Sequence, residues 1–287
     1  MSQSEILKRI AEAIEKMSPI DPQPPNFDEG NYFVWSSNPD RLNFTKDVKV
    51  LDVKYLFGIE DLKNILIENT RQFAEGYSAN NALLWGARGM GKSSLVVSVS
   101  ALFPEKKLKL IEISREDLGG LSKLISLIKP SSYRFIIFCD DLSFGTDESE
   151  YKTLKALLDG GLQSRPENII FYATSNRRHL IPRDMIENES SSAINPSEAI
   201  EEKISLSDRF GLWLGFHKCS QQDYFNMVKN YKECLKLSID DDVLFTKAIE
   251  WQQARGSRSG RVAWQFVSDL AGRSGVNISK VLYKSLQ

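Results

Sequence analysis

Apolar residues in the middle of the chain are grouped into short runs that are separated by longer amphipathic stretches. We interpret five of these runs as β-strands, at residues 81–85, 108–113, 134–139, 168–173 and 212–216. The spacing of apolar positions predicts helices between them, at residues 92–103, 116–128, 149–159 and 196–203. Strands that alternate with helices predict an α/β fold, with a parallel sheet that is covered on both faces.

The two ends of the chain have different patterns. Residues 4–17 predict an amphipathic helix, which either docks on its own domain or binds a partner, and a proline-rich linker follows at 18–25. The apolar segment Tyr32–Trp35 is expected to pack on the main body. After residue 217, three helices are predicted, at 221–235, 241–254 and 259–271. We therefore expect three parts: an N-terminal helix and linker (1–47), an α/β domain (48–216) and a small helical domain (217–287).

The composition of the chain disfavours several classes of protein. The chain has 287 residues with 37 basic and 38 acidic side chains, so its net charge of −1 provides no global field for nucleic acid, and any such contact needs a local patch. Three scattered cysteines disfavour a disulfide framework or a zinc site and are typical of reduced thiols in a cytoplasmic protein. Neither a signal peptide nor an apolar stretch long enough to span a membrane is evident, so we expect no membrane partner.

One stretch after the first predicted strand has a specific chemistry. Residues 86–93 match G-x-x-x-x-G-K-[ST], the loop that binds nucleotide phosphates between a strand and a helix. Glycines let backbone N–H groups turn toward an anion, and the N-terminus of the helix adds positive potential. Lys92 is expected to reach the β- and γ-phosphates, and the Ser93 hydroxyl to bind Mg²⁺. The predicted nucleotide-binding residues here are Gly86, Ala87, Arg88, Gly89, Met90, Gly91, Lys92, Ser93 and Ser94.

Two further strand ends carry polar side chains. The run 135–139 ends in Asp140 and Asp141, which we assign to Mg²⁺ and to the attacking water, respectively. The run 168–173 leads to Asn176, which would face the γ-phosphate if its strand lay between the other two. The basic triplet 177–179 that follows is interpreted either as a solvated loop or as an interface or nucleic-acid contact.

Together these segments resemble the AAA+ ATPases, over about residues 48–272. The sequences of four segments are similar to those of the DUF815 family, a bacterial AAA+ group: residues 86–95, 139–144, 173–180 and 206–212. The resemblance implies a five-stranded parallel sheet, a C-terminal helical lid and a nucleotide-dependent homo-oligomer. It also implies that Asn176 is sensor 1, that Arg209 is an arginine finger acting on a neighbouring subunit, and that Arg261 is sensor 2, with Arg258 as the alternative. Phe57 and Gly58 correspond to the segment that contacts adenine.

The expected function is binding and hydrolysis of Mg-ATP, with ADP as the alternative ligand, in order to remodel or load an unidentified protein or nucleic acid. One departure from the family pattern matters, because most AAA+ proteins carry Glu where this chain has Asp141. A nucleotide-gated loader with little hydrolysis, including one that contacts DNA, is therefore the alternative. A small-molecule kinase is a third hypothesis, which the helical C-terminal segment with Arg261 disfavours.

Overall fold

The structure, a computed structural model, describes residues 24–46, 48–144, 153–155, 158, 166–178, 180, 208–278, 281 and 283–284. Several predictions fall wholly or largely on other residues and lie outside this description: the helices at 4–17, 149–159 and 196–203, and the polar connection at 181–206. Of the helix predicted at 149–159, residues 153–155 and 158 are described, and they are helical.

The described strands are β1 (Tyr32–Ser37), β2 (Asp40–Phe44), β3 (Val50–Leu51), β4 (Ala82–Gly86), β5 (Leu108–Ile113), β6 (Arg134–Cys139), β7 (Ile169–Ser175), β8 (Leu212–Phe216) and β9 (Tyr283–Lys284). The α-helices are α1 (Glu60–Ala74), α2 (Lys92–Ser100), α3 (Leu121–Ile128), α4 (Gln221–Cys234), α5 (Asp241–Arg255) and α6 (Gly260–Arg273). Short 3₁₀ turns lie at Phe27–Glu29, Val53–Tyr55, Pro104–Lys106 and Arg115–Gly120.

The predicted α/β fold with a parallel sheet is confirmed, but the predicted count of five strands is wrong. The central sheet has seven strands in the order β2-β1-β5-β6-β7-β4-β8. β1 pairs in parallel with β5, and β2 adds an antiparallel edge through the hairpin that it forms with β1. The apolar segment at 32–35 therefore extends the sheet instead of only packing on it, and its residues Phe33 and Trp35 are almost fully buried.

The position of β7 decides which strand ends meet. β7 pairs in parallel with β6 on one side and with β4 on the other, and β8 follows β4. The carboxyl ends of these parallel strands therefore lie at the same edge of the sheet. This edge brings together the segments that follow Gly86, Cys139 and Ser175.

A helix that the sequence analysis did not predict, α1, packs on the sheet through Leu66 and Phe73. Its buried Asn69 donates a hydrogen bond from Nδ2 to the Tyr172 hydroxyl at 2.9 Å, and the Thr70 hydroxyl lies 2.8 Å from the same oxygen. Polar residues on the buried face obscure the helical pattern, and these hydrogen bonds offset the cost of burying them.

The three C-terminal helices match their predicted positions to within two residues. α4 begins with a capping box in which the Ser220 and Asp223 side chains each bind the other's backbone N–H. Apolar residues of α4 and α6, including Tyr224 and Phe266, belong to the same buried cluster as Leu84 and Phe138 of the sheet. Among the described residues, no helix has both the length and the apolar character needed to cross a membrane.

Candidate nucleotide site at the carboxyl edge of the sheet

The loop between β4 and α2 is built around close backbone contacts. Gly86 has a φ of 121°, and a Cβ atom there would lie 2.2 Å from the Phe216 carbonyl oxygen on β8. The Ala87 N–H donates to that same oxygen at 2.8 Å. Only glycine fits this approach, so the start of the loop is fixed against β8.

Lys92, the first residue of α2, is buried with 7% of its surface exposed. Its Nζ donates to the carbonyl oxygens of Gly86 and Ala87, both at 2.9 Å, and to Oδ1 of Asn176 at 3.2 Å. Burial lowers the pKa of this amine, and the nearby Asp140 and Asp141 carboxylates oppose that shift. An anion bound beside Lys92 would therefore stabilise its charged form.

Two hydroxyl groups converge on one carboxylate. Ser93 donates from Oγ to Oδ1 of Asp140 at 2.5 Å, and the Thr174 hydroxyl donates to the same oxygen. Thr174 Oγ1 also accepts the Asp141 N–H at 2.9 Å. Thr174 was not assigned a role from the sequence, although it belongs to the polar end of its strand. Hydroxyl and carboxylate oxygens are the ligands that Mg²⁺ prefers, together with water and phosphate, so this donor set fits that ion.

Asn176 connects the two halves of the site. Its Oδ1 accepts from Lys92, and its Nδ2 donates to Oδ1 of Asp141 at 2.5 Å. Asp141 adopts a φ of 51°, a left-handed conformation that is uncommon outside glycine. The Asp141 side chain is thus held next to the loop lysine by the polar end of β7.

A cleft of about 870 Å³ surrounds these groups and extends between the sheet and the C-terminal helices. Of the residues predicted from the sequence, those that line it are Phe57, Arg88, Gly89, Met90, Gly91, Lys92, Ser93, Ser94, Asp140, Asp141, Asn176 and Arg261. Gly86 and Ala87 are not in the lining but hold Lys92 through their carbonyl groups. Gly58 is also outside the lining and packs against α4, where a Cβ atom would lie 2.7 Å from Cε of Met227.

Part of the cleft lining is aromatic. The rings of Phe57 and Tyr231 have centroids 5.0 Å apart, and those of Tyr231 and Trp264 are 5.3 Å apart. All three side chains line the cleft. Tyr231 and Trp264 were not predicted as site residues, because they occupy apolar positions of amphipathic helices and carry no local motif.

The two alternative arginines on or near α6 lie in different places. Arg261 lines the cleft, and its backbone N–H donates to the Gly89 carbonyl oxygen at 2.8 Å. Arg258 lines a separate small cavity beside Gln252 and Gln253. The geometry therefore favours Arg261 over Arg258 as the arginine beside the phosphate loop.

Arg209 does not line the cleft of its own chain. It lies three positions before Leu212, at the amino end of β8, so the length of that strand, about 13 Å, separates it from the carboxyl edge. Arg209 is partly exposed at this opposite edge.

Glu112, at the end of β5, is a further carboxylate in the cleft that the sequence analysis did not assign. Burial raises the pKa of its side chain, and the neighbouring Asp140 raises it further. In the part of the chain that the structure describes, no three His, Cys, Asp or Glu side chains form a metal-binding group.

Comparisons with known proteins agree with this architecture. Residues 28–274 match the family described as a protein of unknown function, DUF815. ORC1 of Aeropyrum pernix, solved in complex with DNA, is 14% identical, with 80% of this chain and 66% of that chain covered and a TM-score of 0.54. A point mutant of Thermotoga maritima RuvB is 15% identical, with 83% and 70% covered and a TM-score of 0.52. A search of curated proteins found no match.

At these identities, the two solved structures establish a shared fold, that of AAA+ proteins. The family match extends over most of the chain and includes the glycine-rich loop at 86–93 and the polar ends of β6 and β7. The chain belongs to the DUF815 family, and its fold is that of an AAA+ P-loop protein.

Proposed function

We propose that this protein is an AAA+ ATPase that binds and hydrolyses Mg-ATP in the cleft between its sheet and its C-terminal helices. The observation that carries the proposal is the Asn176 side chain, which joins the loop lysine Lys92 to Asp141. Ser93 and Asp140 lie beside this bridge, hydrogen-bonded to each other.

Each group has a role that follows from its position. Lys92 and the loop amides bind the β- and γ-phosphates, and Arg261 offsets charge from the side of α6. Ser93 and Asp140 would hold Mg²⁺, which when bound neutralises phosphate charge and orients the phosphate oxygens. Asp141 accepts a hydrogen bond from the attacking water, and Asn176 keeps that carboxylate in place. Phe57, Tyr231 and Trp264 bind the base.

The proposal includes the domain organisation and the assembly. Residues 48–216 form the nucleotide-binding domain, residues 217–287 form the lid, and residues 1–47 are an N-terminal extension. Arg209 lies at the edge of the sheet that is remote from its own cleft, so it can act only on nucleotide held by a neighbouring copy. The complete site would then exist in a homo-oligomer that remodels or loads a protein or nucleic-acid client. The cysteines at 139, 219 and 234 are free thiols, which supports a cytoplasmic location.

Nucleotide binding is tested first, by calorimetric titration of Mg-ADP and of a slowly hydrolysed ATP analogue. Lys92→Ala is expected to lose binding, whereas Lys106→Ala, an exposed lysine at the other end of the sheet, should bind as the parent does. Tight binding by Lys92→Ala would refute the site.

Hydrolysis in trans is tested by mixing two inactive variants. Lys92→Ala lacks the loop cation but keeps its Arg209, and Arg209→Ala has the opposite defect. Phosphate release should rise more steeply than linearly with concentration of the parent, and an equal mixture of the two variants should recover part of the activity. An Arg209→Ala variant as active as the parent, with constant specific activity across the assembly range, would contradict the assignment.

One observation favours a second candidate function, a nucleotide-gated module with little hydrolysis. Asp141 is one methylene shorter than the usual Glu, and its Oδ1 already accepts a hydrogen bond from Asn176. Such a module would bind Mg-ATP as tightly as the ATPase would, but it would release phosphate at the background rate. Phosphate release well above background would exclude it, and ORC1, a structural neighbour solved with DNA, makes nucleic acid a client worth testing in either case.

A further inference from the structure

The carboxyl edge of the sheet is divided by charge. The ends of β5 and β6 carry Glu112, Asp140 and Asp141. The ends of the next three strands in the sheet, β7, β4 and β8, continue into segments 175–178, 85–88 and 215–218, which contain no carboxylate. These segments carry Arg88, Arg177, Arg178, His217 and Lys218. A chain with a net charge of −1 therefore has a local basic surface at this half of the edge.

Planar side chains from the three basic strand ends lie in a row, which we call the Trp85 ladder (Arg178, Trp85 and His217). The Arg178 guanidinium carbon is 5.3 Å from the centroid of the Trp85 ring. The His217 ring centroid is 6.3 Å from that of Trp85, at an interplanar angle of 83°. The order of the ladder follows the order of the strands, with β7, then β4, then β8.

The fold creates space for the ladder at one glycine. Gly215 of β8 is paired with Trp85 of β4, and a Cβ atom at Gly215 would lie 2.9 Å from Cζ2 of the indole ring. The ring can lie across β8 only because that side chain is missing. Trp85 itself is partly exposed, and Arg177, Arg178, His217 and Lys218 are exposed.

The ladder is separate from the nucleotide cleft. Successive side chains of a strand point to opposite faces, and Leu84 belongs to the buried cluster on the face of α2, whereas Leu83 and Trp85 pack with the cluster on the other face. None of the three ladder residues lines the cleft. The Trp85 ladder is therefore not part of the nucleotide cleft, and a function proposed for it does not depend on ATP hydrolysis.

We propose that the Trp85 ladder and its flanking cations, Arg177 and Lys218, bind single-stranded nucleic acid. Such sites combine basic groups that follow the phosphates with flat side chains on which bases stack. The ladder spans two strand spacings, about 10 Å, which matches roughly three nucleotides of a stacked strand at about 3.4 Å each. A duplex hides the faces of its bases, and acidic side chains have no aromatic ring to stack on Trp85, so an unpaired strand is the occupant that uses both properties.

The first test measures charge. Fluorescence anisotropy is followed, without nucleotide and at several salt concentrations, for labelled oligodeoxythymidylate and oligouridylate of about 16 nucleotides. Three fixed cations, Arg177, Arg178 and Lys218, predict a slope of about −2 for log K against log salt, at about −0.7 per phosphate contact. The double variant Arg177→Ala/Lys218→Ala should bind more weakly, with a slope near −0.7. The matched control Lys106→Ala/Lys129→Ala, which removes two exposed lysines near the opposite edge, should behave as the parent does.

The second test measures stacking. Trp85→Leu keeps an apolar side chain but removes the ring, and it should weaken binding about 5- to 150-fold with an unchanged salt slope. Trp85→Phe, which keeps an aromatic ring, tests the same contact in case Trp85→Leu is unstable, and it should bind the oligonucleotides more tightly than Trp85→Leu does. Comparison of the two oligomers tells whether DNA or RNA is preferred.

Four results would overturn the proposal. In the first, neither oligomer binds at about 50 mM salt. In the second and third, a duplex of the same length binds as tightly as the single strand or more tightly, or polyglutamate binds as tightly as the single strand. In the fourth, Arg177→Ala/Lys218→Ala binds the oligomers as the parent does. If Trp85→Leu and Arg177→Ala/Lys218→Ala lose nucleic-acid binding but still bind Mg-ADP in calorimetric titration, this surface and the nucleotide site act separately.

Discussion

The first turn of α6 rests directly on the phosphate loop, and a single methyl group can test this contact. The Arg261 N–H donates to the Gly89 carbonyl oxygen at 2.8 Å. Gly260 lies so close that a Cβ atom there would be 3.2 Å from the same oxygen. Gly272, near the other end of α6, has no atom within 4 Å of an added Cβ. The substitutions Gly260→Ala and Gly272→Ala thus add the same group to the same helix, with and without a contact to the loop.

The expected magnitude follows from two opposing effects. Alanine in place of glycine in a helix stabilises the fold by up to about 1 kcal/mol. At residue 272 nothing opposes this gain. At residue 260 the helix must move away from Gly89 by a few tenths of an ångström, which weakens a hydrogen bond worth about 0.5–1.5 kcal/mol. We expect Gly260→Ala to be less stable than Gly272→Ala by about 0.5–1.5 kcal/mol, or a few degrees in Tm for a protein of this size.

Nucleotide affinity should follow stability if α6 holds the loop in its binding conformation. A loss of about 1 kcal/mol corresponds to roughly fivefold weaker Mg-ADP binding for Gly260→Ala, with Gly272→Ala unchanged. Differential scanning calorimetry gives Tm without nucleotide, and isothermal titration gives the affinity. If both variants raise Tm equally and bind Mg-ADP alike, α6 does not support the loop and the reasoning is wrong.

Three further predictions concern single side chains. Thr174→Val removes the hydroxyl that binds Asp140 and Asp141, so nucleotide binding should need several-fold more Mg²⁺ in a titration, and an unchanged Mg²⁺ requirement would contradict the role. The control is Thr246→Val, at an exposed position of α5. Trp264→Leu should weaken binding of ADP at least about fivefold but leave inorganic tripolyphosphate unaffected, and equal loss for both ligands would place Trp264 outside the base site. Lys109→Met leaves the Gly30 carbonyl and Asn31 Oδ1 without their buried donor. It should cost about 1–3 kcal/mol of unfolding free energy in a denaturant titration, whereas the exposed Lys106→Met should change it by under about 0.5, and equal values would refute the anchoring of β1.

The strands inside the central sheet, β4 to β7, could be predicted because most of their residues are buried on both faces. A strand such as β6, with Phe135–Phe138 all buried, is a continuous apolar run in the sequence. β2 has no such run, since Leu42 is its one buried residue, and its pairing depends on the neighbouring β1. α1 was missed for a related reason, because its buried face includes Asn69 and Thr70, whose hydrogen-bond partner Tyr172 is about 100 positions away.

The part of the candidate site around the loop at 86–93 could be predicted because its residues are adjacent in the sequence or end an apolar strand. The aromatic part of the cleft could not be predicted, because Tyr231 and Trp264 meet only after α4 and α6 pack together. The family resemblance preferred Arg261 to Arg258, but the contact of Arg261 with Gly89 is visible only in the structure. The Trp85 ladder also depends on strand order, since its three members come from segments that are far apart along the chain.

The insertion of β7 between β6 and β4 explains both the nucleotide site and the basic surface. Asn176 leaves β7 on the boundary between the acidic and basic halves of the edge, so it can accept from Lys92 and donate to Asp141 at the same time. Only two residues later, Arg178 contacts Trp85 on the other face of the sheet. Four consecutive residues, 175–178, therefore join the candidate nucleotide site to the Trp85 ladder. The end of β7 is thus a short covalent connection between the proposed nucleotide site and the proposed nucleic-acid surface.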